Sequence, residues 1–117
     1  MNPESRNRLQ EIQDALGALD GPEAIERADG LGGYAREIGR CAEELTGGGE
    51  PEPGEAAERL ARAAKAVLRA EKAAGNYRIN PLTSGFSQGR FAMAVNQARG
   101  WLGGALDALD GVEDPSA

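Results

Sequence analysis

Apolar residues recur along this chain at helical intervals, and nowhere do they alternate one-on, one-off as a half-buried strand requires. Leu9, Ile12, Leu16 and Leu19 stand at 3-4-3 spacing and predict a helix over 3–19. Asp20 and Gly21 stop it, and Pro22 suits the first turn of the next element. A second stripe runs through Ile25, Ala28, Leu31, Ala35, Ile38, Ala42 and Leu45, over 22–45. Gly30, Gly32 and Gly33 interrupt it, each costing roughly 1 kcal/mol against alanine inside a helix. A kink or break is expected there.

The stretch TGGGEPEPG, 46–54, reads as a flexible loop. A third helix is expected over 55–74, on Ala57, Leu60, Ala64 and Val67, ending at Gly75 and Asn76. Residues 76–87, with Pro81 and Gly85, read as a long connection in which Ser84 or Ser87 caps the last helix. That helix is expected over 88–109, with Phe91, Ala94, Ala98, Trp101 or Leu102, Ala105 and Leu109 inward. Residues 110–117 read as an acidic tail that frays. These elements predict an all-α fold: one domain over 1–117, a small antiparallel bundle of three to four helices with a glycine-induced break in the second segment.

Composition makes the core thin. Leu, Ile, Val and Phe together are 20 of 117 residues, and alanine supplies 21 more. Burying an alanine gains less than burying a leucine, because the gain follows apolar area. A lone monomer is then expected to be marginal, which favours self-association or a protein partner. No apolar run is long enough to span a bilayer. The opening residues lack the pattern of a signal peptide, so a cytoplasmic location is expected, or a virion if the source is a phage. Eleven arginines against two lysines fit a GC-rich bacterial or phage coding bias.

Charge is distributed unevenly. Residues 1–58 carry five arginines and fourteen acids, net −9; residues 59–99 carry eight basic residues against Glu71, net +7; residues 100–117 carry four acids. Arg62, Lys65, Arg69 and Lys72 stand at 3-4-3 steps, and Arg59 extends the series by a turn, so a helix would align them as a basic ridge. That ridge either binds an anionic partner or is a solvated face lying beside the acidic helices. The acidic half, including Glu23, Glu26, Asp29, Glu37, Glu43, Glu44, Glu50 and Glu52, admits the converse reading of a phosphate-backbone mimic.

The chain has no histidine and one cysteine, Cys41. Without histidine there is no Ser-His or Cys-His nucleophile pair, no imidazole metal ligand and no Glu-x-x-His di-iron motif. Zinc-binding clusters are absent, and Asp107, Asp110 and Asp114 lack the loop pattern of an EF-hand. Neither a phosphate loop nor a dinucleotide fingerprint occurs. The small residues Gly100, Gly104 and Ala108 share a face and mark a close helix crossing. No catalytic residue, cofactor or metal is expected.

Four of the five aromatics, Tyr77, Phe86, Phe91 and Trp101, lie within 77–101, interleaved with Arg78, Arg90 and Arg99. Tyr, Trp and Arg dominate binding hot spots. The expected partner-binding residues are therefore Tyr77, Arg78, Ile79, Phe86 and Arg90, beside the basic ridge Arg59, Arg62, Lys65, Arg69 and Lys72. The function expected is a non-catalytic protein–protein interaction protein, a bacterial or phage assembly factor, adaptor or inhibitor. The alternative is a nucleic-acid-binding module using 59–99, for which whole-chain acidity is unfavourable.

Overall fold

Alanine-rich faces let two helices approach closely, and the two longest helices of this chain do so. The computed structural model describes residues 3–19, 24–46, 54–79 and 84–113. Five helices follow in order: α1 (Pro3–Gly17), α2 (Ala24–Arg27), α3 (Leu31–Thr46), α4 (Gly54–Ile79) and α5 (Ser84–Glu113). No strand occurs among the described residues, and the fold is an all-α bundle, as the periodicity predicts. Helices α4 and α5 share the most extensive contact, and α3 packs on α4. Ala63, Ala66, Val67, Ala70, Ala73 and Ala74 of α4 and Ala94, Val95, Ala98, Leu102 and Ala105 of α5 are all buried in one core. Helix α1 adds Leu9, Ile12 and Leu16 to that core; α3 adds Leu31, Ala35, Ile38 and Cys41.

Cross-helix contacts fix the directions. Arg59 reaches Gly104 while Arg69 reaches Gln97, so α4 and α5 are antiparallel. Arg6 meets Asp110 and Gln13 meets the Arg99 carbonyl, so α1 runs antiparallel to α5. Ser5 meets Glu44 and Arg8 meets Glu37, so α1 also opposes α3. The molecule measures 53 × 23 × 19 Å. Its long axis follows α5, whose 30 residues span roughly 45 Å at ~1.5 Å per residue.

The break in the second segment lies at residues 28–30, between α2 and α3. Gly30 has φ of 75°, a left-handed conformation that suits glycine and strains other residues. Its carbonyl accepts the Tyr34 amide at 3.1 Å, so it opens the hydrogen-bond ladder of α3. Gly32 is placed differently. The exposed Glu71 side chain of α4 lays its carboxylate over the space a Cβ would take there, so a side chain at 32 would displace that carboxylate and not the helix.

The structure departs from the sequence expectation at the helix ends. The connection expected over 76–87 is mostly helical: α4 continues through Asn76, Tyr77, Arg78 and Ile79, and α5 starts at Ser84. Only residues 80–83 of it lie outside the described residues. Gly75 and Asn76 do not end α4: the next two residues, Tyr77 and Arg78, find tertiary partners. Ser84 is the first helical residue of α5, whereas Ser87 is buried inside it. Helix α1 stops at Gly17, two residues short of the expected end, with a tightened last turn in which the Leu19 amide donates to the Leu16 carbonyl. Of the loop expected over 46–54, Thr46 closes α3 and Gly54 opens α4; 47–53 lie outside the described residues. Of the tail expected to fray, residues 110–113 belong to α5, while 114–117 lie outside the described residues.

Helix α1 is held by ion pairs at both flanks. Arg8 forks onto Glu37 of α3, with contacts of 2.8–3.1 Å, and Arg6 forks onto Asp110 of α5, both at 2.8 Å. Arg6 holds the Asp110 carboxyl below its ordinary range. A depressed carboxylate pKa stabilises the fold above the unfolded-state value, about 3.9, and that contribution vanishes as pH falls through the folded-state value. The melting temperature of the wild type should therefore exceed that of Asp110→Asn at pH 7, and the gap should close towards pH 3. A gap independent of pH would show that the pair does not hold α1. The Gly30 geometry carries its own test. Gly30→Ala should destabilise by about 1 kcal/mol, since alanine is strained at positive φ. Gly39→Ala, in α3 with open space around the added methyl, should stabilise by up to about 1 kcal/mol in denaturant titrations.

Candidate interaction surface

The basic ridge foreseen in the sequence forms on α4, but its members have different environments. Arg59 lies over Gly104 and donates to its carbonyl at 2.9 Å. A Cβ at Gly104 would sit 3.3 Å from Arg59 Cδ, so the glycine gives the arginine its seat on α5. Arg59 also pairs with Glu55 at 3.5 Å and belongs to the α4–α5 contact. Arg62 pairs with Glu58 at 3.0 Å and places its guanidinium 4.9 Å from the Trp101 ring centroid. Arg69 reaches across to Gln97 Oε1 at 2.9 Å, a neutral partner that leaves its charge uncompensated. Lys65 and Lys72 are exposed and have no ion pair among the described residues. Helix α1 packs on α5 and α3, and of the acidic second segment it is Asp29 that lines a cavity together with Lys72 of the ridge.

A second ridge faces it from α5. Phe86, Arg90, Met93, Gln97 and Trp101 follow at steps of 4, 3, 4 and 4 residues, which align on one helical face. Between the two ridges runs a groove with two openings. One, of about 340 Å³, is lined by Arg69, Lys72, Asn76, Arg90, Met93 and Gln97, together with Ala73 and Ala94. The other, of about 510 Å³, is lined by Glu58, Ala61, Arg62, Lys65, Arg69 and Trp101. Arg69 belongs to both, so the two are neighbouring reaches of one furrow. The first opening has three cationic side chains and no acid in its lining. Apolar surface accompanies the charge: Met93 is 63% exposed and Phe86 76%. Arg90 is exposed and has no ion pair among the described residues.

The residues singled out in the sequence therefore divide. Arg90 lines the groove with Arg62, Lys65, Arg69 and Lys72, whereas Phe86 continues the same face of α5 beyond the openings. Ile79, 83% exposed, lies at the rim of an adjoining cavity of about 490 Å³ beside the α2–α3 connection, which shares Lys72 and Asn76 with the groove and has Asp29 and Glu71 in its lining. Tyr77 and Arg78 turn towards that connection: the Tyr77 hydroxyl donates to Glu26 at 3.0 Å, and Arg78 donates to the Ala28 carbonyl at 2.7 Å. The Glu26 carboxylate raises the Tyr77 phenol pKa by accepting its proton in a hydrogen bond. Phe91 is core, and Trp101 is half-buried while its neighbour Leu102 fills the interior. Met93 and Gln97 do not stand out in the sequence. Their signal is present, since both continue the 86–90 face by helical steps, but it can be used only once α5 is known to begin at Ser84.

The acidic residues that suggested other chemistry are spread over several contacts. Glu37 is bound by Arg8, and Glu44 accepts from Ser5. Among the described residues, no group of three or more Cys, Asp or Glu side chains is placed to hold a metal ion. Cys41 is buried, and burial raises its thiol pKa, which disfavours the nucleophilic thiolate. No helix among the described residues is long and apolar enough to cross a membrane. No protein-family model, curated protein or solved structure matches this chain.

The placement of Tyr77 and Arg78 changes what their removal should do. On sequence grounds, alanine at either position would weaken a complex and spare stability. Since both residues brace the α2–α3 connection, Tyr77→Ala and Arg78→Ala should each lower the melting temperature measurably. Tyr77→Phe should reproduce only the part due to the Glu26 hydrogen bond. Unchanged melting in the alanine variants would return both residues to the docking surface.

Proposed function

We propose that this chain is a non-catalytic interaction protein that presents the outer α4–α5 groove to a protein partner. The observation that supports this most is the composition of the groove. Arg69, Lys72 and Arg90 converge there with exposed Met93, and exposed Phe86 continues the same face of α5, on a chain whose net charge is −6. Interfaces favour arginine, methionine and aromatic residues at their centres. Assembly factor, adaptor and inhibitor, of bacterial or phage origin and acting in the cytoplasm, are the roles this reading accommodates.

A second reading is a nucleic-acid-binding module on the same cations. The run Arg62, Lys65, Arg69, Lys72 and Arg90, countered by Glu58 at one end and by Glu71 and Asp29 beside Lys72 at the other, favours it. Exposed Met93 favours the protein partner, because a phosphate backbone gains nothing from it, whereas Phe86 suits either reading, since bases stack on aromatic rings.

Affinity capture from the native host with the wild type and with R69E/K72E separates these readings. A protein retained by the wild type and lost with the double reversal supports the first. Met93→Ala should then cost roughly 2 kcal/mol or more of binding if Met93 is an anchor. Titration with DNA and RNA across salt concentrations should show no steep salt dependence; a steep one would favour the second reading.

A further inference from the structure

The geometry points to one class of occupant for this groove: we infer that it receives an acidic amphipathic α-helix of a protein partner. This rests on the interaction reading above and adds the chemistry of the partner. Shape favours a helix. Two antiparallel ridges, Arg62-Lys65-Arg69-Lys72-Asn76 and Arg90-Met93-Gln97-Trp101, flank a furrow that the Arg69–Gln97 hydrogen bond spans between its two openings. From Arg62 to Asn76 it runs roughly 21 Å at ~1.5 Å per residue, the length of about four helical turns. A helix lies naturally in the furrow between two others, with its anchors at i, i+3, i+4 and i+7.

Register agrees with shape. Arg62, Lys65, Arg69 and Lys72 follow at 3-4-3 steps, so their charges rise along α4 by about one turn each. Carboxylates at the same steps on an opposing helix would meet them in sequence. Charge is complementary to such a helix: Lys65, Lys72 and Arg90 have no ion pair among the described residues, and Arg69 is engaged by the neutral Gln97. Glu58 lies beside Arg62 at one end, and Asp29 and Glu71 share the adjoining cavity with Lys72 at the other, so an anionic partner meets least repulsion in the middle, at Arg69 and Arg90. Apolar surface completes the groove. Met93 lies in the furrow and Phe86 shares its ridge, where an amphipathic helix can bury them. Methionine adapts to varied apolar partners, which suits a groove that accepts a helix side by side.

Trp101, the single tryptophan of the chain, lines the groove and serves as the reporter. The probe is a fluorescein-labelled 16-residue helical peptide with glutamates at 3-4-3 spacing on one face and leucines on the adjoining face. Comparisons are a peptide of the same composition scrambled to remove the faces, a labelled DNA duplex, and a labelled copy of the protein itself. The amphipathic peptide should bind at least ~10-fold more tightly than the scrambled peptide or the duplex and should perturb Trp101 emission. R69E/K72E, with folding checked by circular dichroism, should weaken it at least ~10-fold, as expected for two reversed surface contacts. Asp14→Asn, on α1, should leave it unchanged. Equal binding of the scrambled peptide would overturn the helix inference and leave only an anion-attracting face. Preference for the duplex would overturn both this inference and the proposed function. Preference for the labelled copy would replace the partner helix with self-association. Failure of every probe, while host-partner capture still depends on Arg69 and Lys72, would reject the acidic helix and leave the interaction reading standing.

Discussion

The contact between α4 and α5 determines most of this molecule. About half of the buried apolar residues are alanine. Alanine carries little apolar area, so it stabilises chiefly by letting helices pack closely over a long interface. Length compensates for side-chain size: α4 and α5 have 26 and 30 residues. The hairpin then offers two sides. Its inner side receives α3 and α1, which add Leu9, Ile12, Leu16, Leu31 and Ile38 to the hairpin's own Leu60, Leu102, Leu106 and Leu109. Its outer side remains uncovered among the described residues, and the groove is a direct result.

The same economy explains where polar side chains take on structural work. Arg59 fills the space left by Gly104, Arg78 caps the Ala28 carbonyl, and Arg6 and Arg8 tie α1 to its two neighbours. Long arginine stems cover apolar surface while their heads keep hydrogen bonds. Glycine cooperates with them, at Gly104 beneath Arg59 and at Gly32 beneath Glu71. A chain poor in large apolar residues thus closes its bundle partly with charged ones at the periphery.

The stripes Leu9-Ile12-Leu16 and Phe91-Ala94-Ala98-Leu102 were legible because each repeats at the helical period and each became core. The break at Gly30 was legible because only glycine tolerates that backbone angle without strain. The ends of α4 and α5 were not. Gly75-Asn76 has the local chemistry of a stop, and only Tyr77 with Glu26 and Arg78 with Ala28, contacts some fifty residues away in sequence, carry the helix onward. Of the candidate site, the basic ridge could be read from its 3-4-3 spacing. Its division into seated and solvent-facing cations could not, because that depends on which side of α4 meets α5.

The furrow gathers Lys65, Arg69, Lys72 and Arg90 into one cationic patch on a chain whose net charge is −6. In the field of an anionic target such a body is turned as well as attracted, so the cationic side leads during approach. Encounters in the wrong orientation are repelled before contact. An acidic protein can in this way capture acidic partners, its net charge working as an orientation filter whose reach shrinks to about 8 Å at physiological ionic strength.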